Sequence, residues 1–212
     1  MRHAISKEEL SQEHTSEDTS IAQIAAAFKK IDWPEGSVNL DYGGGRHELA
    51  TNYLKTLGVE NLVYDPFNRS AGHNQQILDR LRKEPADSAV LANVLNVIKE
   101  REVRTQVLKE LKSLVKSDAP IFIQVYEGNR TGVGVVTSKG WQENRPLKDY
   151  ESEIHEVFGG GRKTNGMFVI NASSKVCKRN EDGTVTIQLP SGKTKVSYQF
   201  ARDLVIGLID VL

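Results

Sequence analysis

Hydrophobic positions recur along most of the chain at two spacings, which predict helices alternating with strands. Helical spacing predicts helices over residues 20–28, 48–57, 74–82, 99–116 and 147–158. Short apolar, β-rich runs predict strands over residues 38–40, 61–64, 88–92 and 120–125. Because strands separated by helices of this size form parallel crossover units, the pattern indicates an α/β sheet with helices on both faces.

The carboxyl third of the chain follows a different pattern. Residues 184–189 and 195–200 are strand-like and flank a turn at 190–193, which predicts a β-hairpin. Residues 201–212 predict an apolar helix that packs on the sheet or pairs with a second copy in a homodimer. The predicted domains are an amino-terminal arm at 1–18 that could act as a lid, a main domain at 19–174 and an appendage at 175–212.

Composition narrows the class of protein only slightly. Lys plus Arg and Asp plus Glu number 28 each, so the net charge neither requires nor excludes a polyanionic partner. The single cysteine, Cys177, excludes an internal disulfide and a cysteine-rich metal site, and the five histidines show no metal-ligand spacing. No stretch approaches the roughly 20 apolar residues of a membrane span. We expect a cytoplasmic protein with no membrane and no metal partner.

The strongest chemical signal lies where the first strand turns into a helix. Asp41 is followed by Tyr42 and by the glycines at positions 43–45, and Asp65 with Pro66 ends the next strand. Glycines let the backbone approach a ligand closely, and an acid at the second strand end can accept hydrogen bonds from both ribose hydroxyls. The joint placement predicts a nucleoside-shaped ligand, although a flexible turn and a turn opener would explain each piece separately.

The glycine pattern disfavours two common nucleotide sites. A dinucleotide fingerprint needs GxGxxG, and counting from Gly43 puts Glu48 in the third glycine position, which weakens a nicotinamide-dependent enzyme. No GxxxxGK[ST] segment of a P-loop occurs. A cofactor without a pyrophosphate fits better.

The pattern acid-x-Gly-x-Gly, with a second acid about 20 residues later, resembles motif I and the following acidic position of class I S-adenosylmethionine (SAM)-dependent methyltransferases. The resemblance implies a Rossmann-like sheet that binds SAM. The residues it places at the cofactor are Asp41, Tyr42, Gly43, Gly44, Gly45, Asp65, Pro66 and Asn93. Asn93 follows the third strand and should overlook the methyl group, although it could instead cap the next helix.

Three further segments narrow the resemblance. They are residues 2–6, the Asn-Val-Leu-Asn-Val-Ile run at 93–98 and the stretch 137–150. From residue 2 to about 158 the chain is similar to methyltransferases associated with DNA phosphorothioation and to their phage-encoded relatives. That resemblance implies DNA or RNA as the methyl acceptor.

The acceptor side is read from fewer residues. The Pro-Pro-aromatic motif of exocyclic-amine methyltransferases is absent after Asn93, and Cys177 lies too late for a cytosine-C5 nucleophile. We expect Asn93, Gln142 and Tyr150 to act in catalysis, with Arg145 beside them. The missing motif also leaves open a SAM-binding regulatory protein without transferase activity.

A positive run in the carboxyl half offers a second route to an anionic partner. It consists of Arg162, Lys163, Lys175, Lys178 and Arg179, with no acid between residues 157 and 180. This run is typical either of a surface that follows phosphates or of a solvated strand edge protected by lysines.

Overall fold

The computed structural model describes residues 21–171, 177–179, 182–189, 192–197 and 199. The chain divides into two compact units, 1–172 and 173–212. A six-stranded sheet forms the centre of the first unit, and the second contains a three-stranded sheet. None of the described helices is both long enough and apolar enough to cross a membrane.

The first unit contains eight strands and four α-helices among its described residues. The strands are β1 Val38–Tyr42, β2 Glu60–Tyr64, β3 Ser88–Ala92, β4 Ile121–Gln124, β5 Val135–Thr137, β6 Gly140–Gln142, β7 Arg162–Thr164 and β8 Met167–Ile170. The helices are α1 Leu49–Thr56, α2 Ala71–Lys83, α3 Arg101–Ser113 and α4 Glu151–Phe158.

The large sheet has the order β2-β1-β3-β4-β8-β7. The pairs from β2 to β4 are parallel, whereas β8 runs antiparallel to both of its neighbours. β5 and β6 form a separate two-stranded hairpin. The architecture is the predicted α/β class with a mostly parallel central sheet.

Alternate residues of the strands feed two hydrophobic clusters, one on each face of the sheet. Leu40 of β1 and Leu91 of β3 belong to a cluster that includes residues of α2, α3 and α4. Val90, next to Leu91, packs instead with Leu54 of α1 and Phe28. Because successive side chains of a strand point to opposite faces, this division places helices on both sides of the sheet, as predicted.

The predicted helix at 20–28 is wrong over its described part. Only a 3₁₀ turn at Ala26–Lys29 forms, and Ala25 before it has an extended backbone. The backbone N–H of Ala27 donates to Oε1 of Gln124 at 2.8 Å, so a tertiary contact takes a donor that a longer helix would use internally. The apolar spacing reflects packing of this turn against the sheet.

Two other corrections concern strands. Residues 135–137 and 140–142, which the hydrophobic pattern does not predict to be strands, pair as the β5–β6 hairpin. β7 and β8 were not predicted, because β8 is only four residues long and buried throughout, so it shows no alternation of apolar and polar positions. β7 forms the edge of the large sheet.

In the second unit the described strands are β9 Cys177–Arg179, β10 Thr184–Leu189 and β11 Gly192–Ser197. β10 pairs antiparallel with β9 and with β11, so the predicted hairpin is present. Its second strand begins at Gly192 rather than at residue 195. The predicted helix and dimer surface at 201–212, and the arm at 1–18, lie outside the described residues.

A buried ion pair joins α3 to α4. The guanidinium of Arg104 contacts both carboxylate oxygens of Glu153 at 2.7 and 2.8 Å, and both side chains are almost fully buried. Arg104 also donates to the backbone oxygens of Ile98 and Lys99, and Arg145 adds a second cation to Glu153 at 3.2 Å. The donors of Arg104 are therefore well satisfied without water.

We expect Glu153→Ala to lower the free energy of unfolding by about 3 kcal/mol or more, because it leaves Arg104 buried and uncompensated. Glu156→Ala, also in α4, breaks the exposed pair with Arg101 of α3 and should cost less than about 1 kcal/mol. Urea unfolding of both variants measures the difference. Equal small losses would contradict the structural role assigned to the buried pair.

Candidate functional site

The strand order creates a switch point beside β1. The chain leaves β1 to form β2 on one side and then returns to form β3 on the other. In open α/β sheets, ligands bind beyond the carboxyl ends of the strands at such a reversal. The glycines at 43–45 directly follow β1, and Asn93 directly follows β3.

A cleft of about 1190 Å³ lies at these strand ends. It is lined by seven of the residues that the sequence predicted for the site. These are Asp41, Gly43, Gly44, Gly45, Asp65, Asn93 and Gln142. The fold therefore brings together the end of β1, the end of β2 and the segment after β3.

Close packing around the glycine turn explains why side chains are excluded there. Gly43 has φ +76°, and a Cβ on it would lie 2.3 Å from Cγ2 of Val94. A Cβ on Gly44 would lie 2.5 Å from the carboxyl carbon of Asp41. The turn thus presents bare backbone to the cleft.

Asp65 holds the glycine turn against the end of β2. Its Oδ2 accepts a hydrogen bond from the backbone N–H of Gly45 at 2.8 Å. Its Oδ1 accepts from the backbone N–H groups of Phe67 and Asn68, each at 2.9 Å. The side-chain amide of Asn68 lies 3.2 Å from both carboxylate oxygens. Three backbone donors from two loops therefore fix this carboxylate at the cleft.

Asp41 is a buried acid at the base of the glycine turn. Burial raises its pKa from 3.8 to about 7, while a hydrogen bond from Asn61 opposes the rise and nearby Asp65 adds to it. A polar chain leads to it across three strands. Ser88 donates to Asn39 at 3.0 Å, Asn39 donates to Asn61 at 2.8 Å, and Asn61 donates to Asp41 at 3.4 Å.

Asn93 has the strained backbone and the unused acceptor of a ligand-facing residue. Its φ is +60°, and its backbone N–H donates to the carbonyl of Gln124 at 2.8 Å. Its Oδ1 is buried and accepts no hydrogen bond from the residues that the structure describes. It does not cap the following 3₁₀ turn, Leu95–Val97. The N-cap residue of that turn is Val94, and no side chain makes a capping hydrogen bond there.

Gln142 lies in the cleft, but its amide is used to hold the cleft wall. Its Nε2 donates to the backbone oxygens of Tyr126 and Glu143 at 3.1 and 2.8 Å. Its Oε1 accepts from Asn96 at 3.2 Å, and Oδ1 of Asn96 accepts from the backbone of Tyr126 at 3.3 Å. Asn96, which was not among the predicted site residues, joins three loops, and its only sequence signal was its place in the run 93–98.

Several predicted site residues lie away from the cleft. Tyr42 points to the opposite face of β1 from Asp41 and donates to Glu110 at 2.5 Å. Tyr150 is fully buried, with the guanidinium carbon of Arg145 at 4.2 Å from the centre of its ring. Neither tyrosine lines the cleft, and neither do Pro66 and Arg145. The predicted roles of Tyr42 at the cofactor and Tyr150 at the acceptor do not agree with these positions.

The positive run is divided by the fold. Arg162 and Lys163 lie in edge strand β7, and Lys178 and Arg179 lie in β9 of the second unit. Of the members of the run that the structure describes, Lys163 lines the cleft. Among the residues that the structure describes, no group of three His, Cys, Asp or Glu side chains could hold a metal ion.

No protein-family model matches the sequence, and no curated protein is significantly similar to it. Solved structures that resemble the chain include TnmH, with 16% sequence identity over 68% of this chain and 51% of TnmH, at a TM-score of 0.45. The chain thus spans about half the length of TnmH.

Two further similar structures are methyltransferases. The 1,6-didemethyltoxoflavin-N1-methyltransferase of Burkholderia thailandensis, solved with S-adenosylhomocysteine, is 15% identical, over 64% of this chain and 70% of that enzyme, at a TM-score of 0.45. A TehB-like SAM-dependent methyltransferase of Corynebacterium glutamicum is 18% identical, over 70% of this chain and 86% of that protein, at a TM-score of 0.41. At such low identity, the substrates of these proteins do not transfer to this chain.

Asp41→Asn should stabilise the protein at pH 8. Since the folded-state pKa of Asp41 is about 7 and its ordinary value is 3.8, the native state holds the extra proton between these values and loses stability as the pH rises. The amide has no such ionisation, so the expected gain at pH 8 is on the order of 3 kcal/mol, with little change at pH 4. Urea unfolding at both pH values measures it.

Asp87→Asn is the matched control for Asp41→Asn. A hydrogen bond from Lys116 lowers the pKa of Asp87, so its ionised form contributes stability above its ordinary pKa, and that contribution disappears as the pH falls through the lowered value. The control should therefore destabilise the protein at pH 8. An Asp41→Asn variant that gains no more stability at pH 8 than at pH 4 would contradict the raised pKa of Asp41.

Asn93→Gly should change the free energy of unfolding by less than about 0.5 kcal/mol, because glycine tolerates the positive φ and the lost Oδ1 has no protein partner. Asn96→Ala should cost about 2 kcal/mol, because it removes two hydrogen bonds from a residue only 2% exposed. Chemical denaturation compares the two. A large loss for Asn93→Gly would mean that its side chain serves the fold.

Proposed function

We propose that the protein is a SAM-dependent methyltransferase. The observation that carries this proposal is the direct hydrogen bond between Asp65 at the end of β2 and Gly45 in the turn after β1. It places an acid suited to ribose hydroxyls against bare backbone at the switch point of the sheet. A flexible turn and an unrelated turn opener would not require this contact.

The cleft residues fit the two polar ends of SAM. Asp65 would hold the ribose. A carboxylate has about four acceptor positions, and three backbone N–H groups occupy three of those of Asp65. A ribose hydroxyl would take the remaining position in exchange for the side-chain amide of Asn68. Asp41 and the glycines at 43–45 would hold the methionine part, whose ammonium group the ionised Asp41 favours. When bound, SAM supplies a methyl group on a positively charged sulfur.

A pyrophosphate cofactor fits the same turn less well. Glu48, which takes the position of the third glycine of a dinucleotide site, immediately precedes α1 and pairs with Arg69. Its carboxylate would repel a phosphate at this helix end, and Arg69 is already neutralised by it. The site therefore favours a cofactor without phosphate.

Asn93 would orient the acceptor. Its buried Oδ1 can accept a hydrogen bond from an N–H or O–H group of a molecule entering beside the methyl group. Such positioning accounts for much of the rate in a methyl transfer, which needs a nucleophile in line rather than a fixed catalytic triad. The proton released on transfer can leave to solvent through the cleft. Gln142 and Asn96 act on this wall as positioning residues.

A second candidate is a SAM-binding regulatory protein without transferase activity. The observation that favours it is that Gln142 already uses both amide hydrogens and Tyr150 is buried away from the cleft. Asn93 is then the one predicted catalytic side chain with an unused polar atom in the cleft. DNA or RNA as the acceptor, and the narrower resemblance to phosphorothioation-associated and phage proteins, stay predictions from the sequence.

Calorimetric titration with S-adenosylhomocysteine tests the proposed cofactor. The wild-type protein should bind it, and NADH should not bind. Gly44→Ala should weaken binding at least tenfold, because the new methyl group would collide with Asp41 and force the turn to move. Gly72→Ala in α2, where a Cβ meets nothing within 4 Å, should bind as the wild type does.

Failure of the folded wild-type protein to bind either SAM or S-adenosylhomocysteine would overturn the methyltransferase proposal. Asp65→Ala is a less useful probe, because it also frees three backbone donors and would disturb the fold of the turn itself. Transfer of labelled methyl groups to a trial acceptor then separates the enzyme from the regulatory protein.

A further inference from the structure

Basic side chains from four separate parts of the chain converge on the cleft. They are Lys30, Arg130, Lys148 and Lys163. Three acids also line the cleft, Asp41 and Asp65 at the glycine turn and Glu127 beside Arg130. Away from the glycine turn the basic side chains therefore outnumber the acids, and such local positive charge attracts anions.

Two of these four basic side chains already have a partner within the chain. Arg130 pairs with Glu127 at 2.6 Å, and Nζ of Lys30 donates to the backbone oxygen of Asn165 at 2.9 Å. In contrast, the side chains of Lys148 and Lys163 form no ion pair or hydrogen bond with the part of the chain that the structure describes. Both side chains are exposed. They are therefore available to a ligand.

Lys163 lies far from the glycine turn. It belongs to β7, four strand positions from β1 in the sheet, which corresponds to roughly 19 Å at the usual spacing of strands. Asn93, after β3, lies between them in the strand order. The cleft of about 1190 Å³ exceeds the roughly 300–1,000 Å³ of a typical small-molecule site, so a cofactor leaves room for a second molecule.

Tyr126, which also lines the cleft, provides an apolar surface there. It follows β4, and its side chain is 63% exposed although its backbone is held by Asn96 and Gln142. An exposed aromatic ring on a fixed backbone offers a face on which a planar group can stack. The ring and the two lysines together suit a molecule that is planar and negatively charged.

We propose that the methyl acceptor is a planar molecule with a phosphate or carboxylate group, which Lys148 and Lys163 bind beyond Tyr126. This inference rests on the proposed function, because it takes the glycine end of the cleft as the place of the cofactor. The reactive N–H or O–H group of the acceptor then faces Asn93, between the anionic group and the glycine turn.

Binding of three small probes tests the charge requirement. Phenyl phosphate, benzoate and the neutral benzyl alcohol are titrated into the protein saturated with S-adenosylhomocysteine, with calorimetry or NMR shifts as the readout. At least one anion should bind tenfold or more tightly than benzyl alcohol, and its affinity should fall as salt is added. The stronger anion identifies phosphate or carboxylate as the recognised group. Competition by an octathymidylate then shows whether the recognised anion belongs to a nucleic acid or to a small molecule.

Lys148→Gln and Lys163→Gln should each weaken binding of the preferred anion by roughly fivefold to tenfold, through loss of a charge-assisted contact. Both should leave the thermal midpoint and the affinity for S-adenosylhomocysteine unchanged. Lys83→Gln, an exposed lysine in the last turn of α2, is the matched control and should bind like the wild type.

Three results would overturn the anionic acceptor. They are equal affinity for benzyl alcohol and both anions, unchanged anion binding in both lysine variants, and loss of anion binding when S-adenosylhomocysteine saturates the cleft. A different pattern marks failure of the cofactor proposal alone. In that case S-adenosylhomocysteine does not bind, whereas the phenyl phosphate or benzoate affinity of the free protein still depends on Lys148 and Lys163.

Discussion

The hydrogen bonds of Asp65 are the constraint on which the cleft depends. One oxygen holds the N–H of Gly45 and the other holds those of Phe67 and Asn68, so a single carboxylate joins the loop after β1 to the loop after β2. The hydrogen bond between Asp65 and Gly45 needs a glycine turn tight enough to bring Gly45 to the end of the neighbouring strand. Because the same carboxylate lines the cleft, the structure that shapes the site and the group that would bind ribose are one and the same.

Polar and strained features are concentrated at this end of the sheet. Asp41 is buried with a pKa raised by desolvation, and Asn93 combines a positive φ with an unsatisfied buried oxygen. Each feature costs folding stability, since ionising a buried acid and holding a non-glycine residue at positive φ are both unfavourable. The opposite situation holds at Arg104 and Glu153, where buried charges satisfy one another and join two helices. The loss of folding stability at Asp41 and Asn93 is not offset within the protein, which is consistent with a role in binding rather than in support of the fold.

The glycine end of the cleft could be predicted from the sequence because it is local. Asp41, the glycines and Asp65 lie within one strand, turn, helix and strand, and β1 to β4 were all predicted close to their observed bounds. Tyr42 was predicted at the same site, although alternation along β1 places its side chain on the face opposite Asp41. Asn96 and strands β7 and β8 could not be found in this way. Their positions depend on contacts between distant segments that leave no periodic pattern.

The two ends of the cleft also differ in what they are built from. The glycine end depends on backbone geometry that few substitutions tolerate, since a Cβ on Gly43 or Gly44 meets atoms closer than 3 Å. The far end is built from exposed side chains on a 3₁₀ turn and an edge strand, where Lys148 and Lys163 can be replaced without disturbing the core. On the proposed function, such a fold would keep its cofactor while its acceptor changed, because the two ends of the cleft are built from different residues. On the proposed function, the charge and shape of the far end would select the acceptor, whereas the glycine turn would select the cofactor.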